Sequence, residues 1–191
     1  MVGGGRNEDI IYSAISGIKQ SRTPLGELNG ETTDRVKKIA KAFADANLKP
    51  VISNQIKTWL ITHYAIAAGL SACIIKAGNA MSFVNNPKIV KEAIVAIREG
   101  LQVCIDLGIN PKLEKANKLY YLPMFISVPI ARKVYSNEAL SLMFDGHAKH
   151  SPDEMKKMLE DIVRYGEKQN TPTPNLIKLE REIIELSNTL L

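Results

Sequence analysis

Residues 53–78 read SNQIKTWLITHYAIAAGLSACIIKAG. After Ile56 almost every position is apolar or small, with few breaks in the pattern. Such a run predicts a central helix buried on most sides. Gly69 is tolerated inside it, and Gly78 is a stop signal. A helix of this kind needs others around it, and the chain downstream supplies them. NNPKIVKEAIVAIREGLQVCIDLG predicts a second long helix, capped by Asn86, with Pro87 at its first position and Gly108 at its end. INPKLEKANKLYYL reads as a connection with a short helix. PMFISVPIARKVY reads as a helix bent or started at a proline. Residues 137–149, 151–169 and 174–190 complete the helical set.

Upstream the pattern changes. IIYSAIS (10–16) and TPLGEL (23–28) read as two strands that pair, with GIKQSR as their loop. ETTDRVKKIAKAFADAN spaces Val36, Ile39, Ala40 and Phe43 helically, with Thr33 as N-cap, Asp34 at the positive end of the dipole and Asn47 as the close. LKPVIS is a third short strand. The fold class is therefore mainly α with a small N-terminal β-β-α-β fragment. Three strands and one helix cannot cover both faces of a sheet, so these strands look for partners in another chain or in a larger α/β domain. GGGR (3–6) lacks the G-x-G-x-x-G spacing of a phosphate-binding turn and reads as a loop.

The 191 residues carry 25 Lys and Arg against 20 Asp and Glu, a net charge of +5, with the lysines interleaved among acids. That pattern describes solvated helix faces, not a nucleic-acid stripe. No apolar run reads as reaching the roughly 18–20 residues of a membrane span. The start, MVGGGRNED, is not a signal peptide, so a cytoplasmic protein is the expectation. Cys73 and Cys104 read as buried free thiols.

HAKHSPDEM (147–155) offers three chemistries. In the first, SPDE is a capping box: Ser151 is the N-cap, Pro152 sits at N1, and Glu154 at N3 reaches back to the Ser151 amide. In the second, His147 and His150 share one helical face and hold a metal, although no second ligand pair is visible. In the third, Glu154 belongs to a catalytic site.

The third reading draws on a longer pattern. TPLGELNGETTDRVKKIAKAFADANLKPVISNQI resembles the end of the nucleotide-binding domain of ketopantoate reductases (2-dehydropantoate 2-reductases). IKTWLITHYA resembles the first helix of their C-terminal domain. AIREGLQVCIDLGI and DEMKKMLEDIVRYGEKQNTPTPNL are similar to two further motifs, in the same order and spacing. The resemblance implies that residues 1–52 are the tail of a truncated Rossmann-type nucleotide-binding domain and that 53–191 form the helical substrate and dimerisation domain. It further implies reduction of a 2-keto acid by NADPH in a homodimer, with no activity from the truncated chain alone.

Site residues follow position by position. Glu154 lies twenty residues before Pro174 of the PTP turn and matches the family's acidic residue. His63 stands where the family has an asparagine, and Trp59 stands at its general-acid lysine. Lys57 lies two residues earlier, about 200° around the helix, and is no simple replacement. Glu154 and His63 are thus the catalytic candidates; Trp59, Lys57 and Ser151 are the substrate-binding ones. For His63 the alternative is a core histidine satisfied by a carbonyl, and for Trp59 it is ordinary packing. A non-catalytic dimerisation or ligand-binding module stays open as the other reading of the whole chain.

Overall fold

The computed structural model describes residues 2–7, 10–15, 22–137, 140, 141, 144–146 and 152–189. The fold is mainly helical, preceded by short strands. Strand β1 (Val2–Asn7) pairs antiparallel with β2 (Ile10–Ile15), Val2 opposite Ile15 and Asn7 opposite Ile10. The expected loop at Gly3 to Gly5 is therefore a strand. Glycine is a poor strand former in isolation, but a partner rich in β-branched residues lies only two positions away in sequence. Closing so short a connection costs little chain entropy, and the ladder outweighs the local preference.

The expected pairing of 10–16 with 23–28 is also corrected. Strand β3 (Arg22–Leu25) pairs instead with β4 (Lys49–Ile52), and the pair is parallel. Parallel strands require a crossover, which helix α1 (Asp34–Asp45) provides. Thr33 caps α1 by accepting from the Val36 amide at 3.3 Å, and Asn47 ends it with φ of 58°. At the end of β3, a side chain at Gly26 would place its Cβ 2.2 Å from the Ser53 carbonyl oxygen. Only glycine lets the two strand ends approach this closely.

Helix α2 (Ile56–Ala77) is the centre of the remainder. By length and composition it could cross a membrane, contrary to the reading of the apolar runs. Over half of that stretch is buried against other helices, as in the core helix of a globular fold. After the short α3 (Ala80–Asn85), α4 (Pro87–Asp106) packs along α2. Asn86 caps α4, accepting from the Lys88 amide at 3.1 Å, with Pro87 at the first position.

Two 3-10 segments, Pro111–Leu113 and Lys115–Tyr121, lead into α5 (Met124–Tyr135). Helices α6 (Pro152–Gln169) and α7 (Pro174–Thr189) close the core against both α2 and α4. The Glu99 carboxylate on α4 caps α7 from outside, accepting from the amides of Asn175 at 3.0 Å and Leu176 at 2.9 Å. Lys76 on α2 ties α4 to α7 through Glu92 at 2.7 Å and Glu182 at 2.8 Å. Cys73 and Cys104 are buried free thiols, as the sequence suggested.

Candidate functional site

One face of α2 carries Trp59, His63, Ile66, Ala67, Leu70 and Ser71, spaced three and four apart, and forms the floor of a cleft of about 580 Å³. The second 3-10 segment and the residue before it supply Glu114, Asn117 and Tyr120 to one wall. Helix α6 supplies Glu154, Met155 and Met158 to another, and Tyr135, Leu140 and Phe144 complete the lining. Tyr120 and Tyr135 share a hydrogen bond of 2.6 Å between their hydroxyls. Burial pushes both phenols up, so they act as a neutral clasp.

His63 stacks on Trp59 one helical turn before it, with ring centroids 4.8 Å apart and planes 7° from parallel. Its ring has an open edge toward the cleft, while the surrounding protein strips much of its hydration. Burial therefore lowers its pKa below the ordinary 6.5, which keeps the imidazole neutral at physiological pH. No described residue hydrogen-bonds its nitrogens, so no described carbonyl ties the ring down. Thr62, facing inward beside it, satisfies itself by donating to the Thr58 carbonyl at 2.8 Å.

Glu154 is exposed at the start of α6 and has no ion pair or hydrogen bond among the described residues. Its charge is felt by Tyr64, whose hydroxyl donates to the Asp161 carboxylate at 3.1 Å. Burial first, then the Asp161 bond and the nearby negative charges, push the Tyr64 phenol up to about 12.

Trp59, His63 and Glu154 thus line one cleft. Lys57 does not: it sits around α2, over a shallow hollow with Leu28, Asn29, Leu60 and Ile61. Placing Lys57 among the substrate-binding residues of this cleft is corrected, for the geometric reason that two residues along a helix turn the side chain about 200°. Ser151, His147 and His150 lie outside the described residues, and with them the capping box and the metal pair. Among the described residues no group of three His, Cys, Asp or Glu side chains is arranged to hold a metal.

Four further residues emerge only in three dimensions. Glu114 lines the cleft with its carboxylate unpaired among the described residues. Ser71, 3% exposed, has no hydrogen-bond partner there for its hydroxyl. Asn117, 4% exposed, spends its amide N–H on the Pro111 carbonyl at 3.0 Å and leaves its oxygen free. Tyr64 is the fourth. The spacing of Ser71, eight residues beyond His63, was the available signal.

Among the described residues no glycine-rich turn joins a strand to a helix in the manner of a dinucleotide-binding unit. Gly3 to Gly5 lie in β1, not at a strand-to-helix turn. At the junction of β3 and α1 the Arg35 guanidinium binds the Glu27 carboxylate, Lys37 pairs with Asp34 at 3.1 Å, and Thr33 accepts from the Val36 amide. Comparison of the chain with protein-family models, curated proteins and solved structures returns no match.

Proposed function

We propose that this chain is the substrate-binding part of a ketopantoate-reductase-like oxidoreductase, which reduces a small 2-keto compound (a 2-keto acid by the resemblance) with NADPH held by a unit beyond the described residues. In this reading residues 1–52 end a nucleotide-binding domain and 53–191 form the substrate and dimerisation domain of a cytoplasmic homodimer, with no nucleic-acid or membrane partner. The observation that carries the reading is that His63 and Glu154, both unpaired among the described residues, line the same cleft from different helices. The neutral His63 imidazole hydrogen-bonds the substrate carbonyl oxygen and stabilises the negative charge that develops there, water supplies the proton of the product hydroxyl, and Glu154 orients a donor on the substrate. Further support comes from the β3-α1-β4 unit, a right-sized end for a parallel sheet.

The test follows loss of NADPH absorbance on adding 2-keto compounds to the full chain, alone and with upstream coding sequence restored. His63→Ala and Glu154→Gln are each expected to lower turnover about 10²–10⁴-fold. Wild-type rates in both variants remove those roles, and no turnover in either preparation removes the oxidoreductase reading. The second reading, a non-catalytic ligand-binding or dimerisation module, is favoured by the large apolar side chain that α5 leaves in solvent at Phe125. It predicts saturable ligand binding in the cleft with no NADPH binding, and Phe125, 79% exposed on α5, at a subunit contact.

A further inference from the structure

The charges in the cleft run against those of the chain. The protein has an excess of bases, yet the charged side chains lining the cleft, among the described residues, are the two carboxylates Glu114 and Glu154. Among the described residues neither carboxylate forms an ion pair, whereas Asp161, which accepts from the Tyr64 hydroxyl, is paired to Lys157 and Arg164. The free oxygens of Ser71 and Asn117 are deep in the same cleft, both residues more than nine-tenths buried. The two carboxylates and the Asn117 oxygen are acceptors only, beside hydroxyl groups that both donate and accept.

The apolar lining mixes aliphatic side chains with an unusual share of the chain's aromatic ones. The chain has one tryptophan, six tyrosines and four phenylalanines. The tryptophan, three of the tyrosines (Tyr64, Tyr120 and Tyr135) and Phe144 all line the cleft. Aromatic faces and carboxylates together are the surroundings that hold organic cations: the ring quadrupoles attract the charge and the carboxylates neutralise it. An anionic acid meets the opposite situation. Its carboxylate would displace water next to two like charges, with the neutral His63 offering no compensating charge.

From this lining we infer that the cleft takes a ligand with an ammonium group on an apolar body. This rests on the proposal above that the cleft is the ligand site, and it replaces the 2-keto acid implied by the resemblance with an ammonium-bearing ketone. The ammonium group lies between Glu114 and Glu154, and the apolar body lies where Trp59 on the floor meets Tyr120 on the wall. Ser71 and Asn117 accept from any hydroxyl or N–H carried deeper.

Trp59 is the single tryptophan and lies in the cleft, so its fluorescence reports occupancy without any reaction. The full chain is titrated with benzyltrimethylammonium, benzyl alcohol and benzoate, which share a ring and differ in charge. The expected result is saturable binding of the cation, about 10-fold tighter than either of the others. Glu114→Gln and Glu154→Gln, checked for folding by circular dichroism, are each expected to weaken the cation several-fold and leave benzyl alcohol unchanged. Benzoate binding as tightly as the cation overturns the inference but leaves the cleft as a ligand site. Unchanged cation affinity in both variants, or no saturable change with any probe, also overturns it. Failure of the reductase reading shows separately, as absent turnover alongside retained cation preference.

Discussion

Trp59 and His63 form a parallel stack one turn apart on α2, at 4.8 Å between centroids, at the floor of the cleft. The indole covers one face of the imidazole and takes hydration from it, and the walls take more. This environment is why His63 titrates below its ordinary value.

The stack gives a direct reading of that titration. Imidazolium quenches an indole it touches, so Trp59 fluorescence should fall on acidification with a midpoint below 6.5, and His63→Ala should remove the transition. A midpoint at or above 6.5 contradicts the environment described. The same shift sets a stability trend. Below 6.5 the unfolded chain binds a proton that folded His63 resists, so stability falls as pH drops from 6.5 toward the lowered folded value and levels off beneath it. In His63→Gln this contribution should vanish from denaturant midpoints measured across that window.

Gly69 and Gly100 let α2 and α4 approach each other reciprocally. A Cβ at Gly69 would stand 3.2 Å from the Ile97 nitrogen, and one at Gly100 would stand 3.3 Å from the Ala65 carbonyl oxygen. Both neighbours are backbone and cannot swing away. Gly69→Ala gains about 1 kcal/mol of helix propensity but pushes the helices apart. Overpacking of this kind costs about 1–3 kcal/mol. Net destabilisation is expected, larger for Gly69→Val, in chemical unfolding with an unchanged m-value. A stabilised Gly69→Val would show that the helices do not touch here.

Glu99 holds the start of α7 from α4. Removing it by Glu99→Ala leaves the amides of Asn175 and Leu176 without their acceptor, at a cost of about 1–3 kcal/mol. Glu99→Gln keeps an oxygen in place and should recover part of the loss. Hydrogen exchange should localise the change to the first turn of α7; uniform exchange across the protein would contradict a cap.

Burial pushes the Cys73 thiol up to about 12 and the Cys104 thiol up to about 11. Thiolate is the reactive form, so both should resist maleimide in the folded protein and react together on unfolding. Fast native labelling of either would place it at the surface.

The helices were legible because their signals are local. Asn86-Pro87, Thr33 and Gly108 mark ends through hydrogen bonds and backbone angles reached within a few residues. The apolar stripe of α2 was equally plain, although its length passes for a membrane span until α4, α6 and α7 are seen to cover it. Strand pairing was misread at both ends of the N-terminal segment. Which strand meets which depends on ladders between separate segments, and glycine at 3 to 5 carries no side-chain pattern to announce one. Of the cleft lining, Trp59, His63 and Glu154 could be named from sequence, whereas Lys57 lies over the neighbouring hollow. Glu114 and Asn117 lie in an unremarkable connection whose role comes from where it folds back.

The amino-acid order alone determined a helical protein with a buried central helix, because periodicity and caps act over one or two turns. Assembly of a cleft along that helix was decided by packing. Close contact at Gly69 and Gly100 sets the height of α4, Glu99 sets the start of α7, and together they fix where α6 and the 3-10 wall stand over His63. Those distances follow from contacts between residues far apart in the chain, which no local pattern encodes.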